Sequence, residues 1–167
     1  MEDAITAAIV RISDPIVEGE KTDHATPYAQ ERLEQAGVNV ISKQLVRDDT
    51  RDIVEAVSAA GIAQVDVIIT LGGTGLSPLD YTIRAMDTLF RFDIPGIPAA
   101  IRAYGWNHGN ELSALWRGRA GVLVSGMKRI FVLNSAGTKF GIQAALDVVL
   151  PILPDIVARV AGEQEGD

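Results

Sequence analysis

The amino-acid sequence predicts an α/β fold in which helices cover both faces of a parallel sheet. Short apolar runs rich in Val and Ile alternate along the chain with longer segments of helical periodicity. Two of these runs end in a glycine-containing loop that leads into a helix. A length of 167 residues suits one domain, and 47% hydrophobic residues supply a sizeable core. We expect residues 1–167 to form one domain, with 162–167 as a frayed tail.

Three strand–helix units are predicted in the first half of the chain. The strands are Ile5–Ile12, Val38–Val46 and Val65–Leu71, and the helices are Thr26–Ala36 and Thr50–Ala60, with Thr50 as a helix cap. Gly37 and Gly61 are predicted to end the two helices. Alternation of apolar and polar residues places the second strand near an edge of the sheet. Successive strands joined by helices indicate parallel pairing.

The second half of the chain is less regular. Its predicted elements are helices at Asp80–Phe90, Ala99–Tyr104, Phe140–Leu150 and Pro151–Ala161, and a strand at Arg129–Leu133. Gly105–Glu111 is predicted to be a polar loop. The pattern of Leu112–Val124 is ambiguous.

The composition excludes several classes of protein. Fifteen Lys and Arg against 22 Asp and Glu give a formal net charge of −7, which argues against nucleic-acid binding. The absence of cysteine excludes a disulfide scaffold, a cysteine nucleophile and a thiolate metal site. The apolar runs at Ile5–Val10 and Val65–Leu71 are too short for a membrane span, and the acidic N-terminus lacks the features of a signal peptide. We therefore expect a cytoplasmic protein without membrane or nucleic-acid partners.

Two glycine loops follow two of the predicted strands. Gly72–Pro78 follows one strand and Asn134–Lys139 follows another, and each leads into a helix. Backbone N–H groups in such loops, together with helix N-termini, bind phosphate groups. Neither loop matches a Walker motif, since neither ends in Gly-Lys-Ser/Thr. Neither matches the dinucleotide Gly-x-Gly-x-x-Gly pattern, and in the first loop Pro78 stands where the third glycine belongs. Ordinary tight turns remain the alternative.

Carboxylates also follow the predicted strands. Asp48 and Asp49 come after the second strand, and Asp80 comes after the first glycine loop. These side chains should meet at one edge of the sheet, where two carboxylates beside bound phosphates suit Mg²⁺. The alternative is that Asp80 caps its helix and that Asp48 and Asp49 are turn residues.

The first glycine loop also carries a family resemblance. Its sequence from Leu71 to Thr82, LGGTGLSPLDYT, resembles the GGTG-x-x-x-(R)-D-x-T signature of the molybdopterin-binding domain found in MogA/MoaB-type proteins and gephyrin. Further matches in chain order are Ser13-Asp14, Asp23–Pro27, Val46–Asp49, Pro95-Gly96, Arg102, Leu115–Gly121 and Asn134–Gly137, the last of which resembles the MoaB2-like subgroup. The resemblance covers nearly the whole chain.

The resemblance implies a three-layer α/β/α sandwich with a mostly parallel sheet, assembled as a homotrimer or hexamer. It implies molybdenum cofactor biosynthesis, in which molybdopterin is adenylylated with Mg-ATP to give adenylyl-molybdopterin and pyrophosphate. Asp48 and Asp80 match the catalytic aspartates and are expected to hold Mg²⁺. The residues expected to bind substrate or nucleotide are Ser13, Asp14, Gly72, Gly73, Thr74, Gly75, Leu76, Ser77, Thr82, Arg117, Asn134, Ser135, Ala136, Gly137 and Thr138.

The chain departs from the family pattern at several polar positions. Leu79 replaces an arginine, Ala25 a serine, Trp116 a serine and Ala99 a glutamate. These losses leave open a non-catalytic module of the same fold that binds molybdopterin or a partner protein. A CinA-like hydrolase of free nucleotide or pyrophosphate is a third hypothesis.

Several single residues also leave alternatives open. Arg117 and Arg119 are either anion ligands or a surface pair, and Lys139 is either a phosphate contact or a solvated side chain. Trp106 and Trp116 either stack on a ligand ring or serve packing. The apolar residues Leu89, Phe90 and Phe92 are candidates for a subunit interface.

Overall fold

A computed structural model describes residues 3–163 of the chain. Residues 164–167 of the predicted tail therefore lie outside the described residues. The strands are β1 (Thr6–Ile12), β2 (Asn39–Val46), β3 (Val67–Leu71), β4 (Phe92–Asp93), β5 (Ala120–Ser125) and β6 (Lys128–Ser135). The helices are α1 (Asp14–Val17), α2 (Ala25–Gln35), α3 (Thr50–Ile62), α4 (Thr82–Leu89), α5 (Gly96–Asn107), α6 (Lys139–Val149) and α7 (Leu153–Val160), with 3₁₀ turns at Glu111–Leu115 and Leu150–Ile152.

All of these strands form one mixed sheet in the order β2-β1-β3-β6-β5-β4. The pairs β1–β2, β1–β3 and β3–β6 are parallel, whereas β5 pairs antiparallel with both β6 and β4. The chain runs from β1 to β2 on one side and then to β3 on the other, so strand order reverses beside β1. Such a reversal opens a crevice at the carboxyl ends of the strands, where ligands bind in this class of fold. The predicted mostly parallel sheet is confirmed, and β2 lies at its edge as predicted.

Two apolar clusters fill the spaces between the sheet and the helices. On one face, α2, α5, α6 and α7 cover inward residues such as Ile9, Ile69 and Phe131. On the other face, α3 and α4 cover residues such as Val10 and Ile68. Because successive strand residues point to opposite faces, each central strand contributes to both clusters. The three-layer α/β/α arrangement is therefore confirmed.

Two predicted helix boundaries are wrong because glycine packs inside helices here. Helix α3 continues through Gly61 to Ile62, since Gly61 lies against β5 and a Cβ there would come 3.2 Å from Leu123. Helix α5 begins at Gly96 and continues past Gly105, which is buried and faces Ser113. The cap of α3 is Asp49 instead of Thr50, because its carboxylate accepts the N–H of Asp52.

The remaining differences concern short or ambiguous segments. Leu112–Val124, which the pattern left open, contains the end of a 3₁₀ turn and most of β5. Helix α4 begins at Thr82, so Asp80 lies in the loop before the helix. Strand β6 continues through Ser135, beyond its predicted end. The two-residue strand β4 and the one-turn helix α1 were not predicted, because neither is long enough to show a periodic pattern.

One stretch of the described chain meets a length-and-composition test for a membrane span, which the sequence analysis missed. Lys139–Val160 combines 22 residues with a mean hydropathy of 1.7 over its most apolar window, and a third of that window is buried. The stretch is divided by the 3₁₀ turn that contains Pro151, and Ile142 and Leu146 of α6 belong to the core. Core helices of soluble proteins pass the same test, so the finding is weak support for a membrane segment.

Candidate functional site

A cavity of about 600 Å³ opens at the carboxyl edge of the sheet. It lies between the two glycine loops, with α5, the first 3₁₀ turn and α6 completing its wall. The lining residues are Gly72, Gly73, Thr74, Gly75, Leu76, Asp80, Ile101, Asn110, Leu112, Ser113, Leu115, Trp116, Ala136, Gly137, Thr138, Phe140, Gly141 and Ala144. One side of the cavity is therefore built from loop backbone and the other mainly from apolar side chains. This division suits a ligand with phosphate at one end and an apolar or planar group at the other.

The first glycine loop is held in a conformation that only glycine adopts easily. Gly72 and Gly73 have φ angles of 111° and 69°. A Cβ on Gly72 would lie 2.3 Å from the carbonyl oxygen of Ile12, and one on Gly73 would lie 2.1 Å from Thr82 Oγ1. These glycines are therefore required by both backbone angle and space.

Side chains outside the loop fix its position. The buried Thr82 donates from Oγ1 to the carbonyl of Gly72 at 2.9 Å, and its N–H donates to the carbonyl of Gly73 at 3.2 Å. On the other side, Arg117 Nε donates to the carbonyl of Gly75 at 2.7 Å. The loop is thus preorganised before any ligand binds.

Three carboxylates gather behind and beside this loop. Asp14 accepts a hydrogen bond from the N–H of Asp48 at 2.9 Å. Asp48 Oδ1 accepts the N–H of Tyr81 at 2.9 Å, and Asp80 Oδ2 accepts the N–H of Ser77 at 2.8 Å. The charges of Asp49 and Asp80 both act on Asp48, so the predicted meeting of these three residues is confirmed, and Asp14 joins them.

The electrostatics of Asp48 reflect this gathering of negative charge. Burial raises the pKa of Asp48 to about 6, against the lowering effect of the Tyr81 N–H. The neighbouring charges of Asp80, Asp14 and Asp49 contribute to this rise. Repulsion of this kind is relieved by a bound cation. Among the described residues no group of three or more His, Cys, Asp or Glu could hold a metal, so a cation would take its other ligands from a bound phosphate or water.

The second loop is a plain strand-to-helix connection. Thr138 caps α6 by accepting the N–H of Gly141 at 3.2 Å. Asn134 and Ser135 are buried within β6 and do not line the cavity. Asn134 donates to Thr70 Oγ1 at 3.0 Å and accepts the N–H of Arg119 at 3.1 Å. The structure thus shows Asn134 as a sheet-bonding residue, and its role in ligand binding stays a prediction.

The cavity brings together about half of the predicted site residues. The predicted residues that line it are Gly72, Gly73, Thr74, Gly75, Leu76, Asp80, Ala136, Gly137 and Thr138. Those outside the lining are Ser13, Asp14, Asp48, Ser77, Thr82, Arg117, Asn134 and Ser135. Several of the second group support the first through the bonds described above, and Ser13 caps α1.

Other candidates from the sequence are engaged elsewhere. Arg119 forms ion pairs with Asp93 and Asp87, and Lys139 lies over the ring of Tyr28 at 5.3 Å. Neither Arg119 nor Lys139 lines the cavity.

Sequence reasoning missed two features of the site. The first is Arg11, which lies against both glycine loops. A charged arginine within an otherwise apolar, mostly buried strand is the sequence signal that could have identified it. The apolar wall contributed by Ile101, Phe140 and Ala144 was also missed, because Ile101 is far from the other two in sequence.

Trp116, which the sequence analysis considered as a ligand-stacking or packing residue, lines the cavity. Its Nε1 is buried and has no hydrogen-bond partner among the described residues. Its ring lies against Gly118 and 5.7 Å from the Arg102 guanidinium.

Comparison with known proteins identifies the family. The model for the probable molybdopterin binding domain matches residues 8–155. The chain is 29% identical over 163 residues to the molybdenum cofactor biosynthesis bifunctional protein of Synechococcus elongatus, covering 97% of this chain and 49% of that protein. This chain therefore spans about half the length of that relative.

Two further relatives match over most of their length. The molybdopterin adenylyltransferase of Pyrococcus furiosus is 29% identical over 142 residues, covering 84% of this chain and 82% of that protein. The crystal structure of the molybdopterin biosynthesis enzyme MoaB from Thermus thermophilus superimposes with a TM-score of 0.85 at 32% identity, covering 95% of this chain and 97% of that one.

Proposed function

This chain belongs to the molybdopterin binding domain family, and we propose that it adenylylates molybdopterin with Mg-ATP in molybdenum cofactor biosynthesis. In this reaction the terminal phosphate of molybdopterin attacks the α-phosphorus of ATP. A new P–O bond forms, the bond to the β-phosphate oxygen breaks, and pyrophosphate leaves. The products are adenylyl-molybdopterin and pyrophosphate.

The observation that carries the proposal is the placement of Asp48 and Asp80 beside a preorganised glycine loop at the cavity. Reactions at phosphorus depend mainly on positioning and on neutralising charge. The backbone N–H groups of Gly72–Gly75 are suited to hold phosphate oxygens. The apolar wall around Ile101 and Phe140 is suited to a heterocyclic ring.

Magnesium fits the donor set at this site. The raised pKa of Asp48, caused by burial and by neighbouring carboxylates, marks a place where negative charge lacks compensation. Asp48 and Asp80 would hold the ion, with phosphate oxygens completing its ligands. When bound, magnesium neutralises charge on the phosphates and on the leaving pyrophosphate. The hydrogen bonds from Tyr81 and Ser77 orient the two carboxylates for this task.

Adenylyl transfer tests the proposal directly. Purified protein is incubated with Mg-ATP and molybdopterin, and adenylyl-molybdopterin and pyrophosphate are quantified. Asp80→Asn retains an oxygen that accepts the Ser77 N–H, so we expect it to fold and to lose at least about a hundredfold in rate. Asp87→Asn, at an exposed aspartate paired with Arg119, is the matched control and should retain full rate.

A non-catalytic binding module is the second candidate. It is favoured by Leu79, an exposed apolar residue at the position where the family signature has arginine. In that case the wild-type protein binds molybdopterin in calorimetry but gives neither product. Release of pyrophosphate from ATP without molybdopterin would instead favour a nucleotide hydrolase.

The proposed assembly is a homotrimer or hexamer. Of the apolar residues considered for an interface, Phe92 is 44% exposed, whereas Leu89 is buried in the core of its own chain. Phe92 is therefore the better candidate for a subunit contact.

A further inference from the structure

Arg11 ties together the carboxyl ends of two neighbouring strands. It stands near the end of β1, and its side chain is only 12% exposed. Nη1 donates to the carbonyl of Leu71 at 2.9 Å and to that of Ile12 at 3.3 Å. The Leu71 carbonyl ends β3, where the first glycine loop begins, and the Ile12 carbonyl ends the neighbouring strand β1. The guanidinium thus replaces hydrogen bonds that the sheet no longer supplies at this point.

The same guanidinium lies against both glycine loops. A Cβ on Gly137 would come 2.6 Å from Arg11 Nη1, and one on Gly72 would come 2.9 Å from the same atom. The absence of side chains at these two glycines makes room for the arginine. Arg11 does not line the cavity, so it touches the loops from behind.

The charge of Arg11 is balanced by one carboxylate. Arg11 Nε pairs with Asp23 Oδ1 at 3.3 Å. Asp23 also accepts the N–H groups of Ala25 and Thr26 and the hydroxyl of Thr26 at the start of α2. Burial raises the pKa of Asp23, but the Thr26 hydrogen bonds and the Arg11 charge outweigh this and lower it. The ion pair is therefore intact at neutral pH and only partly screened by water.

We propose that Arg11 is a positioning residue that fixes the two glycine loops relative to each other and favours anion binding by its positive charge. The inference rests on the proposed function in one respect, namely that these loops bind phosphate groups. Asp23 reduces the effect of this charge. Removing the arginine should weaken anion binding, whereas neutralising the aspartate should strengthen it.

Opposite effects of the two substitutions on anion affinity distinguish this role from a purely structural one. If the ion pair served only to hold the fold, breaking it from either side would weaken binding. Asp23→Asn retains an oxygen that accepts the N–H groups of Ala25 and Thr26, so these hydrogen bonds at the start of α2 are preserved. Arg11→Lys retains the charge but loses the fork that binds two carbonyls at once.

The test is calorimetric titration of the full chain with pyrophosphate in the presence of magnesium. We expect Arg11→Gln to weaken binding roughly tenfold and Asp23→Asn to tighten it a few-fold, as for one unit of charge near a partly buried site. Arg11→Lys should lie between wild type and Arg11→Gln. Arg32→Gln is the control, because Arg32 forms another largely buried ion pair, with Asp147, and touches neither glycine loop.

Each outcome bears on the inference. Weaker binding by both Arg11→Gln and Asp23→Asn, or equal affinities for Arg11→Gln and Arg32→Gln, would overturn it. If Arg11→Gln does not fold, Asp23→Asn still tests the inference, because tighter pyrophosphate binding than wild type supports it and weaker binding overturns it. Failure of the wild type to bind pyrophosphate overturns the inference alone if adenylyl transfer is observed. It counts against the proposed function as well if transfer is also absent.

Discussion

The two glycine loops occupy equivalent positions at the ends of neighbouring strands, yet they are built differently. The loop after β3 runs from Gly72 to Tyr81, contains two glycines at positive φ and is fixed by Thr82 and Arg117. The loop after β6 runs only from Ala136 to Thr138 and has no positive-φ residue. Its glycine is needed for the close approach of Arg11 and not for its backbone angle.

This difference separates two kinds of contribution to one cavity. The first loop contributes preorganised backbone donors and is accompanied by the carboxylates Asp48 and Asp80. The second loop contributes the N-terminus of a long helix, α6, whose unpaired N–H groups and dipole favour an anion without special geometry. We expect substitutions in the first loop to be costly and those in the second to be mild.

The largest expected loss of stability follows from replacing a glycine in each loop. Gly72→Ala should lower the free energy of unfolding by roughly 3 kcal/mol, because the methyl group meets a backbone carbonyl and φ is unfavourable. Gly137→Ala should cost about 1 kcal/mol, since the φ of Gly137 is not positive and the methyl group meets the end of an arginine side chain instead of backbone. Urea unfolding of both variants measures the difference. Equal losses would contradict the comparison.

A smaller loss of stability is expected when the threonine at the junction of each loop with its helix is replaced. Thr82→Val leaves the buried carbonyl of Gly72 without its donor and should cost about 2 kcal/mol. Thr138→Val removes an exposed helix cap and should cost about 1 kcal/mol. Thr82→Ser and Thr138→Ser keep the hydroxyl groups and serve as controls in the same unfolding measurement. A greater loss at Thr138 would show that the second loop is the more constrained one.

The smallest expected effect is a pH dependence of stability that arises from Asp48, beside the first loop. Because burial and nearby charges raise the Asp48 pKa to about 6 in the folded protein, ionising this group costs stability. The cost is absent well below pH 4, where the carboxyl is protonated in both states, grows between about pH 4 and pH 6, and is complete above about pH 6. Asp48→Asn should therefore raise the melting temperature by a few degrees at pH 8 and leave it nearly unchanged at pH 4.

The control for this measurement is Asp49→Asn. Asparagine and aspartate are equally good helix caps, and Asp49 caps α3 from an exposed position. Its substitution should change the melting temperature less than Asp48→Asn at pH 8. A stabilisation of Asp48→Asn that persists at pH 4 would contradict the proposed origin of the effect.

Much of the fold could be predicted from the chain because its signals are local. The strand at Val67–Leu71 and the edge position of β2 follow from apolar run length and alternation. The signature from Gly72 to Thr82 identified the first loop and Asp80. Predictions were wrong where glycine serves packing between distant segments, as Gly61 does against β5 and Gly105 does against the 3₁₀ turn.

Part of the candidate site could not be predicted because its residues meet only after folding. Nothing local in sequence links Arg11 to Gly137, or Asp48 to the N–H of Tyr81. Asn134 matched a family motif, but its pairing with Thr70 depends on the register of β3 against β6. Such pairings are set by strand order, which a single sequence does not specify.

By itself, the sequence determined the α/β class, the glycine loops and the aspartates, because periodicity and glycine placement express local backbone preferences. The tertiary structure alone decided which of these residues share a cavity and which support it from behind. The physical reason is that burial, charge proximity and the space that a missing Cβ leaves are properties of contacts between segments. The raised pKa of Asp48 and the arginine behind both loops are of this second kind.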